Sequence, residues 1–170
     1  MSKMPPKAAG RSDIFQTPPS AVRYITPFIP KSWRIWESAR GQGQIVQVLQ
    51  EDGYSVIGTD IADGFDFTDT LLPVPEFDCI LTNPPYSIKD EWLQRCYGLG
   101  KPFALLLPIT ALGEQGRVKM YRENGIQLVL PPERINFGTP SGEGSGSWFY
   151  AAWFCHGLDL PSQISFAEAT

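Results

Sequence analysis

Six short apolar runs cross this chain: WRIWE (33–37), YSVIGTD (54–60), FDCILT (77–82), PFALLLP (102–108), IQLVLP (126–131) and WFYAAWFCH (148–156). Helix-patterned stretches lie between most of them. Residues 20–29 read as a short amphipathic helix closed by Pro30. IVQVLQED places Ile45, Val48 and Leu49 at helical spacing, and Gly53 is a natural stop. Ser87 and Asp90 have capping-box spacing and open a helix through Tyr97, and residues 113–124 read as another. Strands that alternate with helices give an α/β protein with a mostly parallel sheet and helices on both faces. The last two runs form an antiparallel C-terminal hairpin. Ligands in such a sheet collect at the carboxyl ends of the strands.

The chain has 170 residues, the length of one ordinary domain. Residues 1–12 lack periodicity and carry three basic residues, so they read as a disordered basic tail. Residues 13–170 then form a single domain. No apolar stretch approaches the ~20 residues of a membrane span, and no charged-then-apolar leader opens the chain. Together these predict a cytoplasmic protein with no membrane partner. Cys79, Cys96 and Cys155 sit in apolar contexts without metal spacing, and one histidine, His156, argues against zinc; no metal is expected. Net charge is −4, yet nine of the 18 acidic residues fall between Glu37 and Asp78. The remainder is locally basic, which leaves room for a nucleic-acid-facing surface.

The strand ends carry the chemistry. After Glu37 comes SARGQGQ, a tight glycine turn into a helix, a nucleotide-type arrangement. It lacks the third glycine of the dinucleotide fingerprint and the Lys-Ser/Thr of a P-loop. A nucleoside without phosphates suits it better. Asp60 ends the next strand, 23 positions after Glu37. An acid there accepts bonds from both ribose hydroxyls; the alternative is a turn or helix cap.

The third strand ends in Asn83-Pro84-Pro85-Tyr86. Two prolines remove two backbone donors and fix two φ angles. The Asn83 side-chain oxygen and the Pro84 carbonyl can each take one N–H of an amino group whose lone pair is delocalised into a ring or carbonyl. Tyr86 offers a stacking face for a planar base, worth roughly 1–3 kcal/mol. The alternative is a turn with an incidental tyrosine.

With these residues in hand, the chain resembles the S-adenosylmethionine-dependent amino-methyltransferases, above all phage and prophage DNA adenine-N6 methyltransferases. The resemblance covers roughly residues 13–157. NPPY is its strongest piece. DIFQTP (13–18) resembles the family's F-x-T-P motif, which would set Phe15, Gln16 and Thr17 near the methionine part of the cofactor. Residues 36–43 resemble the first cofactor motif, implying roles for Glu37, Ala39, Gly41 and Gly43. Asp60 and Ile61 match the second motif, on ribose and adenine. Asp66 and Phe67 resemble the acidic-aromatic pair that holds the adenine. The resemblance implies a Rossmann-like class I methyltransferase, S-adenosyl-L-methionine as cofactor, and in-line methyl transfer to a flipped base in DNA. It also implies a bacterial cytoplasm, with a phage gene as one source.

Departures from the family shape further expectations. Ser38 and Arg40 stand where the family often has Pro and Cys or a small residue, so Arg40 is expected to crowd the cofactor or meet its carboxylate. Only about 16 residues separate Asp60 from the next strand, so the sheet is expected to be abbreviated at that edge. No target-recognition domain follows NPPY. Specificity is left to short loops, the tail or a protein partner. The Gly/Ser stretch 141–147 reads as a flexible connection, or as a cover for the substrate with Phe137 or Trp148 near the base. Glutamine-N5 methylation of protein, adenine methylation of RNA or single-stranded DNA, and a non-catalytic binding subunit remain alternatives.

Overall fold

A computed structural model describes residues 15–138 and 149–169. The tail at 1–12, the Gly/Ser stretch and Trp148 lie outside the described residues. The chain runs α1 (Pro19–Ile25), β1 (Arg34–Glu37), α2 (Gln44–Glu51), β2 (Ser55–Gly58), β3 (Cys79–Thr82), α3 (Lys89–Leu99), β4 (Phe103–Pro108), α4 (Gln115–Asn124), β5 (Gln127–Leu130), β6 (Ala151–His156) and β7 (Ile164–Phe166).

The strands form one seven-stranded sheet in the order β2-β1-β3-β4-β6-β5-β7. Among the described residues, only β6 runs against the other strands, between β4 and β5. This is the Rossmann-like architecture expected from the sequence, a mostly parallel sheet with helices on both faces, antiparallel C-terminal pair included. The expected abbreviation is present too: β2 is an edge strand, and a 3-10 turn at Ile61–Asp63 and irregular chain lead on to β3.

Both faces of the sheet are covered, so its central strands are apolar throughout rather than alternating. Ile35, Leu81, Ala104 and Leu106 pack with Ala21, Val22 and Ile25 of α1 and with Ile45, Val48 and Leu49 of α2. Trp36, Ile80, Phe103 and Leu105 point the other way, onto Trp92, Leu93 and Cys96 of α3 and Tyr121 of α4. All three cysteines are buried and free, as expected. Among the described residues, no helix is long and apolar enough to cross a membrane.

Two expectations need correction. The helix after NPPY begins at Lys89, behind a 3-10 turn at Tyr86–Ile88, and its N-cap residue Ile88 makes no side-chain cap. The extended prolines push the start downstream, and Asp90, in the first turn of the helix, pairs with Arg117 at 2.7 Å. The second is β7, which lies parallel to β5 and was not expected; three residues beside Pro161 are too few to show a period.

Candidate functional site

The strand order reverses between β1 and β3, and a cavity of about 260 Å³ opens at the carboxyl ends of these strands. It is lined by the turn after β1, the end of β2, the end of β3 and residues 15–17.

The turn after β1 requires glycine for its backbone. Gly41 and Gly43 have φ of 54° and 89°, left-handed conformations, although a Cβ at either would meet nothing within 4 Å. Asp60 ties this turn to β2. Its Oδ2 accepts from the Gly41 N–H at 2.8 Å and its Oδ1 from the Ala62 N–H at 2.9 Å. The capping role and the cavity-lining role therefore coexist in one carboxylate.

Glu37 is fully buried. Its Oε1 accepts from the Ala39 N–H at 2.9 Å and from the Thr82 hydroxyl. Its Oε2 has no hydrogen-bond partner among the described residues. Burial pushes the carboxyl from 4.5 up to about 8; the Thr82 and Ala39 bonds pull it back, and Asp60 adds a smaller push upward.

At the end of β3, the Asn83 Nδ2 donates to the Thr17 hydroxyl oxygen at 3.1 Å. Asn83 Oδ1 is buried and unpartnered among the described residues. Tyr86 lies at the edge of an aromatic cluster. Its ring centroid is 6.0 Å from Phe15 and 5.8 Å from Phe149, and Phe137 stacks on Phe149 at 5.9 Å. Residues 15–17 are strapped across this end of the sheet. Gln16 bridges Gly138 through two backbone hydrogen bonds of 2.8 and 3.0 Å, and its side chain donates to Gln42 at 2.7 Å.

The cavity thus gathers Phe15, Gln16, Thr17, Glu37, Ala39, Arg40, Gly41, Asp60, Asn83 and Pro85 from the residues singled out in the sequence. Gly43 shapes the turn without lining the space, and Pro84 and Tyr86 flank it. Ile61 is 72% exposed and stands outside the lining. Asp66 turns its Oδ1 to the Thr68 N–H and hydroxyl, at 2.9 and 2.7 Å.

Phe67 is the clear correction. It is 1% exposed and stacked on Trp92 at 4.6 Å, with Trp36 at 5.2 Å, so it belongs to the core under α3 and not to the cavity. A large apolar side chain gains more from full burial than from a half-wet wall. Arg40 lines the cavity, and its Nε is buried without a hydrogen-bond partner among the described residues. Its guanidinium pairs with Asp63 at 2.6 Å, and its stem crosses Gly58, where an added Cβ would stand 2.8 Å from Arg40 Cδ.

Gln42, Gln44 and Ile45 also line the cavity and were missed, although they share the glycine turn and the first helical turn. Phe149 was missed because its aromatic partners lie far away in sequence. The lining holds the Asp60 carboxylate, the buried Glu37 carboxyl and a buried amide oxygen without a partner among the described residues, beside one guanidinium, Arg40, that pairs with Asp63. That set fits a ligand with hydroxyls, amino groups and positive charge. S-adenosylmethionine carries all three.

No family model matches the chain. It is 36% identical over 106 residues to a Type II methyltransferase of Thermus thermophilus, covering 52% of this chain and 24% of that protein. The chain therefore spans about a quarter of that relative's length. Among solved structures it is similar to a modification subunit assigned to a type I restriction enzyme of Vibrio vulnificus YJ016, with a TM-score of 0.54, 16% identity, and coverage of 92% of this chain and 46% of that one. TrmN from Thermus thermophilus is similar at TM-score 0.52 and 19% identity, over 82% of this chain and 48% of that one. These two likenesses establish the fold.

Proposed function

We propose that this chain binds S-adenosyl-L-methionine and methylates an exocyclic amino nitrogen, that of adenine N6 in DNA. The observation that carries the reading is Asn83 Oδ1, a buried acceptor without a protein partner, beside the cavity and followed by two prolines and a tyrosine. The likeness to a Type II methyltransferase supports the same class of reaction.

The cofactor, when bound, supplies a methyl group on a sulfonium, already electrophilic. The protein's part is then positioning and electrostatics. Asp60 and Glu37 offer acceptors to the cofactor's hydroxyls and cationic end, and the glycine turn lets it approach the backbone. Phe15, Gln16 and Thr17 would hold its methionine part. Asn83 Oδ1 and the Pro84 carbonyl would each receive one N–H of the target, holding the nitrogen with its lone pair free. Tyr86 and its aromatic neighbours supply a face for the base. A base inside a duplex cannot reach this site and has to be flipped out. We assign the choice of target sequence to short loops around the site or to a protein partner.

The test is incubation with methyl-labelled cofactor and unmethylated bacterial DNA, followed by nucleoside separation. Label in N6-methyladenine is expected. Label only in RNA, in cytosine or in protein glutamine overturns the substrate, and failure to bind the cofactor in calorimetry overturns the enzyme.

A further inference from the structure

An amide side chain presents an acceptor on one edge and donors on the other, and a half-turn about its last bond exchanges them. For the reaction proposed above, the acceptor edge of Asn83 has to face the target amino group. With the donor edge turned inward, N–H would meet N–H. Something must hold that amide.

Among the described residues, the group that receives the Asn83 Nδ2 is the Thr17 hydroxyl, at 3.1 Å. The two residues lie 66 positions apart, and both line the cavity. Thr17 is 4% exposed, so water does not compete freely for this bond. Its backbone is held on one side by the Gln16–Gly138 bridge and on the other by Pro18 and Pro19, which lead into α1. The hydroxyl therefore sits on a braced segment.

We propose that Thr17 is a positioning residue for methyl transfer, acting through Asn83: it holds the plane and the donor edge of that amide so that Oδ1 faces the cavity. This rests on the reading of Asn83 as the acceptor for the target nitrogen. It assigns residues 15–17 to the target side of the site as well as to the cofactor side.

Thr17→Val removes the hydroxyl at nearly constant volume, and Thr17→Ser keeps it. Thr17→Ala serves if the valine variant does not fold. The first measurement needs no cofactor: hydrogen exchange of the Asn83 side-chain NH₂ by ¹⁵N NMR. We expect about tenfold faster exchange in Thr17→Val and near wild-type exchange in Thr17→Ser, the loss of one hydrogen bond worth about a factor of ten. The second is steady-state kinetics with the cofactor varied up to saturation. We expect kcat to fall about tenfold in Thr17→Val and to recover in Thr17→Ser.

Unchanged exchange in Thr17→Val overturns the proposal. So does a rise in cofactor KM with kcat intact, which would make Thr17 a cofactor ligand alone. If the wild type methylates nothing, the proposed function fails by itself, and the exchange measurement still decides whether Thr17 holds the Asn83 amide.

Discussion

The two walls of the cavity differ in what their polar atoms already hold. On the glycine-turn wall, both Asp60 oxygens receive backbone N–H groups, and a bound ligand would share them. On the β3 wall, Asn83 is anchored through its nitrogen while its oxygen has no partner among the described residues. Glu37 stands between, one oxygen engaged and one not. The first wall is architecture that a ligand borrows; the second is completed by a ligand. Substitutions on the first should move stability and binding together. Substitutions on the second should move chemistry with little change in stability.

Asn83→Ala puts the largest strain on this contrast. Methyl transfer should fall by about 10³-fold, while stability to urea changes by no more than about 1 kcal/mol. Comparable losses of folding and activity would erase the distinction.

Asp60→Ala should lower stability by about 0.5–2 kcal/mol, the cost of a lost cap, because the N–H groups of Gly41 and Ala62 exchange their acceptor for water. Cofactor affinity should drop about tenfold or more in the same variant. Weakened binding without destabilisation would show that the cap is idle.

Glu37 sharpens the middle ground through pH. Its carboxyl, pushed up by burial to about 8, keeps a proton in the folded state that the unfolded chain has lost above its ordinary 4.5. Its contribution to stability is full below that ordinary value and is lost as pH rises through the folded one. The slope is at most about 1.4 kcal/mol per pH unit. A cationic ligand favours the carboxylate, so cofactor binding should release a proton and tighten as pH approaches 8. Urea melts and calorimetry across this range check both trends, and Glu37→Gln should flatten them.

Gly43→Ala is the mildest probe. The φ of 89° strains any L-residue, costing about 1 kcal/mol, with no clash to add because nothing lies within 4 Å of the new Cβ. A thermal melt measures it, and a much larger loss would mean the turn is packed more tightly than its geometry shows.

Local patterns made most of the frame legible. Glu37, Asp60 and Asn83 each follow an apolar run, and the structure brings them to one end of the sheet. Gly41 and Gly43 read correctly as a turn, because left-handed φ is written in residue type. What escaped depends on register and packing. The Thr82–Glu37 bond joins neighbouring strands whose alignment no local pattern encodes. Phe67 resembles a ligand-binding aromatic, yet its neighbours Trp36 and Trp92 come from β1 and α3 and claim it for the core. β7 is too short to show a period. Arg40 gave no sign that it would find Asp63, since a long side chain can reach many partners.

The strap at residues 15–17 also bears on how the protein is made. Trp153 of β6 donates to the Ala21 carbonyl of α1, 132 positions away, and Thr17 meets Asn83 across 66. Contacts of such separation have to meet a loop-closure cost before they are rewarded and are slow to form. A nascent chain can lay down β1 to β4 well before β6 emerges to receive the N-terminal segment. The cradle for a ligand is therefore among the last features to assemble, and a stalled intermediate would hold a partial sheet without a working site. Ligand binding then certifies completed folding, and by mass action it rewards that state alone.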